Sequence, residues 1–195
     1  SPIKTGLFCY ILNLYTKPPI KISKDFFKTF EKLFGLPDET FQLKRSEHNQ
    51  GRSATRELLA REAEFDWLLF LDADTLPVNT DFLQAYLRSI QNGPTIVHGG
   101  VAYKDDPPAQ QYLLRWTYGH EREMQKAEQR NKNPHLVMTG NLLIRKNLFL
   151  ELNRGMENFY GDDLLISARI LEEQIPVLHI DNPVWHLGLE PSSDY

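Results

Sequence analysis

The run Trp67-Leu68-Leu69-Phe70-Leu71 is short and wholly apolar, and it ends directly in Asp72-Ala73-Asp74. An apolar run this brief, with no polar alternation, predicts a strand buried on both faces in a parallel sheet covered by helices. Carboxylates two positions apart, just past such a strand, can leave the alternation and both enter the crevice beyond the sheet's carboxyl end, where α/β sheets bind ligands. No structural role calls for two acids there, because unpaired buried charge costs several kcal/mol. A hard divalent cation with oxygen ligands offsets that cost. Asp72 and Asp74 are therefore candidate ligands for Mg²⁺ or Mn²⁺ held against phosphate oxygens. The competing reading is a solvated turn that caps the next helix, but Asp81, with Gln84 three residues on, is better placed as that cap.

The surrounding pattern predicts one α/β domain over residues 1–195, with no repeat or long linker. Leu7 to Leu14 reads as a strand ended by Pro18-Pro19. A helix over Lys24 to Phe34, with Phe26, Phe27, Phe30 and Phe34 at helical spacing, stops at Gly35 and Pro37. Ser53 is placed to cap a helix to about Phe65 that buries Leu58, Leu59 and Ala63. Phe82, Leu83, Tyr86, Leu87 and Ile90 share one helical face. Thr95 to Val101 reads as a strand interrupted by Gly99-Gly100, and Gln111 to Asn131 as a charged, exposed helix. Leu142 to Ile144 is a strand, Lys146 to Leu152 a helix, and Asp163 to Glu173 a helix with Leu164, Leu165, Ala168 and Leu171 on its apolar face. After a last strand, Val177 to Ile180, Asn182-Pro183 is expected to turn the chain across the carboxyl end of the sheet. His186 is then presented there, with Trp185 packed beneath.

Three further stretches carry candidate chemistry. Gly161-Asp162-Asp163 opens a helix behind the aromatic approach Met156 to Tyr160; acids there are either ordinary complements of the helix dipole or part of a site. His186 is either a packed residue beside Trp185 or a metal ligand, the second reading depending on the acids elsewhere. Asn49 to Arg56 is a turn feeding a helix start, where Arg52 and Arg56 can receive phosphate oxygens or simply decorate an exposed cap. The net charge of −4 and pI of about 5.9 speak against a nucleic-acid partner. The longest apolar run, Leu7 to Leu12, is far short of the ~20 residues of a bilayer span. With Cys9 the only cysteine, the expected location is the cytoplasm, with room for a peripheral position at the membrane's inner face.

Taken in order, Asn49 to Arg56, Phe70 to Thr75, Thr139 to Ile144, Gly161 to Asp163 and His186 resemble the family 2 glycosyltransferases. That family pattern is an Asn-x-Gly-x-x-x-x-Arg helix start and a strand ending in Asp-x-Asp. A Thr-Gly-Asn-apolar strand, a Gly-x-(Glu/Asp)-Asp helix start and a late histidine complete it. Residues 1–46 depart from it. The resemblance implies a GT-A fold, an open mixed but mainly parallel sheet flanked by helices. It implies a nucleoside-diphosphate sugar as donor and a glycan or lipid-linked glycan as acceptor, with inversion at the anomeric carbon. Asp72 and Asp74 would hold the metal and diphosphate, Asp163 (with Asp162 as its neighbouring alternative) would be the catalytic base, and His186 would complete the metal shell or touch the diphosphate. The alternatives are a non-catalytic nucleotide- or sugar-binding remnant and a haloacid-dehalogenase-type phosphatase. The second is echoed by Leu71 to Leu76 but lacks that motif's inserted residue before the threonine and its place near the chain start.

Overall fold

A computed structural model describes residues 9–13, 51–156 and 161–194; the expected helix at Lys24 to Phe34 and the aromatic approach at 157–160 lie outside them. The main sheet has five strands: β1 (Cys9–Asn13), β2 (Trp67–Asp72), β4 (Ile96–His98), β6 (Asn141–Arg145) and β7 (Val177–His179), in the order β1-β2-β6-β4-β7. β1 runs parallel to β2 and β4 parallel to β7, while β6 lies antiparallel between β2 and β4. The sheet is thus mixed and mainly parallel, as the pattern predicts.

β2 is apolar throughout because each of its faces meets a separate core. Trp67, Leu69 and Leu71, with Val97 and Leu143, pack under helix α2 (Phe82–Ser89), whose Phe82, Leu83 and Tyr86 point inward. Leu68 and Phe70, with Ile96, Leu142 and Ile144, pack under α1 (Arg52–Glu62), α5 (Lys146–Leu152) and α6 (Asp162–Glu172). Each fully buried side chain of this size stabilises by about 1.5–3 kcal/mol, so both faces contribute to holding the strand in register.

A second, three-stranded sheet was not expected. β3 (Thr75–Pro77) continues from the two acids and pairs antiparallel with β8 (Val184–His186), whose other edge pairs with β5 (Val101–Ala102). The predicted strand Thr95 to Val101 is therefore two strands in two sheets. The break falls at Gly99-Gly100, where Gly100 takes φ +84°, a left-handed conformation open to glycine at little cost. His186 stands in β8 opposite Thr75 rather than in an unpaired segment.

The expected helix over Gln111 to Asn131 is broken into α3 (Leu113–Tyr118), a wide turn at Gly119–Glu123, and α4 (Ala127–Arg130). The backbone leaves the helical region at Met124 and Lys126. Before that break, the Tyr103 ring lies so close to Gly119 that any side chain there would strike it. Arg130 is buried, donating to the carbonyls of Gly99 and Ile180, at 3.3 and 2.7 Å, which a continuous exposed helix could not reach. The Asp81–Gln84 capping box does not form: Asp81 makes no side-chain cap and pairs with Arg88 instead.

Two helices also turn differently from expectation. In α1 the inward residues are Ser53, Arg56 and Ala60; Ala63 is buried and Leu59 packs against the core as expected, while Leu58 is exposed. In α6 they are Asp162, Ile166, Ser167 and Ile170, while Leu164 and Leu171 are exposed, Leu164 at 70%. Both helices place polar residues at the inner face of their first turns, and these residues meet.

Candidate active site

The carboxyl end of β2 faces the N-terminal ends of α1 and α6. Arg56 lies between them with only 2% of its side chain exposed. It donates from Nη2 to Asp72 Oδ1 at 2.8 Å and from Nη1 to Asp162 Oδ2 at 3.0 Å. Asp162 is as buried as Arg56 and also accepts from Arg52, through both Nε and Nη2, and from the Ser53 hydroxyl. Arg56, expected to receive phosphate, is thereby held between two carboxylates. Asp162, the expected alternative base, is enclosed by two guanidiniums and a hydroxyl. Arg52, 38% exposed, pairs with Asp162 and retains an open side toward solvent. This buried cluster follows from periodicity: Asp162, Ile166 and Ile170 are four apart and occupy one helical face.

Asp163 is oriented differently. Its Oδ1 accepts from the backbone N–H of Thr139 at 3.1 Å and from the Thr139 hydroxyl at 2.5 Å. Oδ2 has no hydrogen bond among the described residues. Burial pushes the Asp163 carboxyl above the ordinary carboxylate range and neighbouring Asp162 adds to the rise, while Arg56, the Thr139 bond and Arg52 oppose it.

Thr139 opens a Thr139-Gly140-Asn141 segment whose members each fix one part of the site. Gly140 lies against Asp72, where a Cβ would come 2.8 Å from Oδ2. Asn141 donates to the carbonyls of Gly100 and Asn182 at 2.7 and 2.9 Å and accepts from the Tyr86 hydroxyl at 2.7 Å. The loop before Thr139 is anchored by His98, whose Nε2 accepts from the Met138 N–H at 3.4 Å, and by His179, whose Nε2 donates to the Pro134 carbonyl at 2.9 Å. His98 Nδ1 then donates to His179 Nδ1 at 3.3 Å, a tautomer assignment that satisfies both rings uncharged. Burial pushes both imidazoles below the usual histidine range.

The second acid of β2's exit faces the small sheet. Asp74 Oδ2 lies 3.8 Å from His186 Nε2, and His186 Nδ1 is buried without a hydrogen-bond partner among the described residues. The Asp74 carbonyl accepts from the Leu187 N–H at 2.8 Å, and the Asp74 carboxylate lies so close to Gly188 that a side chain there would strike it. Burial pushes the Asp74 carboxyl up, His186 opposes this, and Asp72 and Glu190 add to it. The His186 ring packs 5.4 Å from that of Tyr103, whose hydroxyl donates to Glu123.

Among the described residues no group of three or more His, Cys, Asp or Glu side chains could by itself hold a metal ion. Asp74 Oδ2 and His186 Nε2 still offer an oxygen and a nitrogen donor to one point, and burial leaves the Asp74 charge in want of a partner. That donor set fits a small divalent cation that takes its remaining ligands from water and phosphate. The sequence expectation placed Asp72 in the same role; here its Oδ1 is already bonded to Arg56. Thr139, Gly140 and Gly188 are the residues that sequence reasoning missed. The first two stood inside the Thr-Gly-Asn segment, whereas nothing in the sequence marked Gly188.

Solved structures share this architecture. The mannosyltransferase PcManGT from Pyrobaculum calidifontis, in complex with GDP-Man and Mn²⁺, is 15% identical with a TM-score of 0.57, over 91% of this chain and 47% of that one. GalNAc-T7, with UDP, GalNAc and Mn²⁺, is 16% identical with a TM-score of 0.57, over 93% of this chain and 38% of that one. A197 from STIV is 16% identical with a TM-score of 0.50, over 93% and 84%. The chain thus spans about half the length of the first of these and less of GalNAc-T7. No curated protein matches. The fold is the GT-A glycosyltransferase fold. Residues 22–152 match the family Glycosyl transferase family 2, and the chain belongs to that family. The match contains Arg52, Arg56, Asp72, Asp74 and Thr139 and ends before Asp162, Asp163 and His186. It begins inside the stretch expected to depart from the family pattern. No helix among the described residues is long and apolar enough to cross a membrane.

Proposed function

We propose that this chain is the catalytic domain of a metal-assisted, inverting glycosyltransferase that moves a sugar from a nucleoside diphosphate to an acceptor hydroxyl. The acceptor class is a glycan or lipid-linked glycan. The observation that carries the reading is the division of labour between the adjacent acids of α6: Asp162 is paired with two arginines and a serine, while Asp163 Oδ2 has no hydrogen bond among the described residues. Similar folds solved with GDP-Man and Mn²⁺, and with UDP, GalNAc and Mn²⁺, support the donor class.

In this reading Asp163 Oδ2 accepts the proton of the acceptor hydroxyl as that oxygen bonds to the anomeric carbon. The bond from that carbon to the diphosphate breaks with inversion, and the nucleoside diphosphate leaves with the electron pair. Positioned general-base help of this kind is worth about 10²–10⁴-fold, and a carboxyl raised toward the working pH is the stronger base. The Thr139 bonds on Oδ1 hold the carboxylate and leave Oδ2 for the acceptor. Asp74 and His186 would hold the divalent cation, which supplies charge neutralisation on the diphosphate when bound. Arg52 is positioned for a phosphate oxygen on its exposed side.

The test is calorimetric titration of UDP, GDP, ADP and dTDP with and without Mn²⁺, followed by hydrolysis of the matching sugar nucleotides with water as acceptor. Mn²⁺-dependent binding of at least one diphosphate, with turnover, is the expected result. Absence of metal-dependent binding across the panel sinks the reading, and binding without turnover makes the chain a non-catalytic nucleotide-binding module.

A further inference from the structure

We infer that Arg56 is the positioning residue of this site, a buried strut that fixes the spacing between the exit of β2 and the helix start that carries Asp163. The inference rests on the glycosyltransferase reading for what the spacing is used for, but not for the strut itself.

Arg56 is the one guanidinium among the described residues that bonds carboxylates on both sides of the crevice. One terminal nitrogen binds Asp72 at the end of β2, and the other binds Asp162 at the first turn of α6. These partners are 16 and 106 positions away in the chain, so no local structure sets their separation. The planar fork makes the arrangement stiff: two terminal nitrogens a fixed distance apart, each with its own acceptor, define where the carboxylates sit relative to one another. The lysine ammonium is a point charge on a flexible stem and cannot reproduce that spacing. The environment holds the fork in turn. Phe70 lies under the guanidinium at 6.0 Å, Arg52 and Ser53 fix the far side of Asp162, and Gly140 closes on Oδ2 of Asp72.

The catalytic consequence follows through the backbone. Asp163 is the residue after Asp162, so a helix start that shifts against β2 carries the Asp163 carboxylate with it. A misplacement of about 1 Å in a reacting group costs about 100-fold in rate. The groups that face Asp163 electrostatically are Arg56, Asp162 and Arg52, with Thr139 bonded directly. Arg56 has therefore a second effect, through charge, that a purely spatial role would lack.

The experiment compares Arg56→Lys, Arg56→Met and Asp162→Asn with the parent chain. It uses Mn²⁺-dependent diphosphate binding, the kcat and KM of sugar-nucleotide hydrolysis, the pH profile of kcat, and the carboxyl ¹³C titration of Asp163. Arg56→Lys should lower kcat about 100-fold with diphosphate affinity and KM within about threefold of the parent. Arg56→Met should in addition move the acid limb of the profile and the Asp163 titration to higher pH, because a positive neighbour is gone while the lysine variant keeps one. Asp162→Asn leaves Arg56 its bond to Asp72 and serves where the arginine variants fail to fold; it should reproduce the kcat loss in smaller measure. Unchanged kcat in a folded Arg56→Lys overturns the inference, as does an equal loss of kcat and diphosphate affinity in all three. Should the parent itself neither bind nor turn over, the functional reading fails, and the strut is then judged on the backbone amide shifts of Thr139 and Asp163, which Arg56→Lys should move; unmoved shifts in that folded variant overturn it.

Discussion

Asp162 and Asp74 are both acids at the rim of one crevice, yet their surroundings are opposite. Asp162 has a side chain 2% exposed and bonded to two arginines and a serine; Asp74 is 44% exposed and faces a single histidine at 3.8 Å. The first is saturated and immobile. The second is raised by burial and lacks a guanidinium partner among the described residues. A buried, fully paired acid organises the fold around it and has no capacity left for a ligand, whereas an acid that faces one histidine and no guanidinium among the described residues has capacity to bind one. Motif position alone does not distinguish the two, and the α6 helix start holds both kinds one residue apart.

The largest expected effect separates those neighbours. Asp163→Asn should reduce turnover by about 10²–10⁴-fold and leave diphosphate affinity unchanged, because the base acts on the acceptor. Steady-state hydrolysis with parallel calorimetry checks this. Turnover surviving in Asp163→Asn while Asp162→Asn abolishes it would reverse the assignment.

On the paired side, removing one partner leaves buried charge uncompensated. Arg56→Met should destabilise the fold by about 3–5 kcal/mol, toward the lower end because Arg52 still pairs with Asp162. Denaturant unfolding of the two proteins measures it, and a loss below about 1 kcal/mol would show that the cluster is not held as tightly as its burial implies.

The open side should behave in the reverse manner. Asp74→Asn and His186→Ala should each weaken Mn²⁺-dependent diphosphate binding by at least about 10-fold, the lower range for disturbing a metal's supporting groups. Neither should lower the melting temperature as Arg56→Met does. Titration with and without Mn²⁺ decides the first part; equal affinity in both conditions for the parent and Asp74→Asn would remove the contrast.

The smallest effect is on pH. The Asp163 carboxyl titrates above its unfolded value, so the folded protein holds that proton more tightly than the unfolded chain. Stability therefore falls as pH rises from the ordinary aspartate value, about 3.9, through the folded value, and the deficit persists above it. Asp163→Asn keeps an acceptor for Thr139 without the charge. It should melt slightly higher than the parent at neutral pH and equally below about pH 3.5. Thermal scans across that range test the sign, and a lower melting temperature at neutral pH would contradict it.

Much of this architecture was legible in local pattern. Trp67 to Leu71 predicted a doubly buried strand because a run with no polar position can only sit between two covered faces, and the acids at its end marked the crevice. Helix α2 also read correctly, since Phe82, Leu83 and Tyr86 leave one choice of face. The faces of α1 and α6 misled because Leu58, Leu164 and Leu171 outweigh Ser53, Arg56 and Asp162 in any hydrophobic reading. The buried stripe was polar, and its cost is offset only by partners distant in sequence.

By itself, then, the chain's sequence determined the doubly buried strand β2, the sites of the acids and the family to which they belong. These depend on spacing within a few residues and on side-chain chemistry. Only the tertiary structure decided which acid of α6 is enclosed by arginines, where Thr95 to Val101 divides between two sheets, and that His186 stands opposite Thr75 within reach of Asp74. Those outcomes rest on hydrogen bonds and ion pairs between residues as far as 106 positions apart. Such pairings are selected by the packing of whole elements, because a charge is buried only where its partner also arrives.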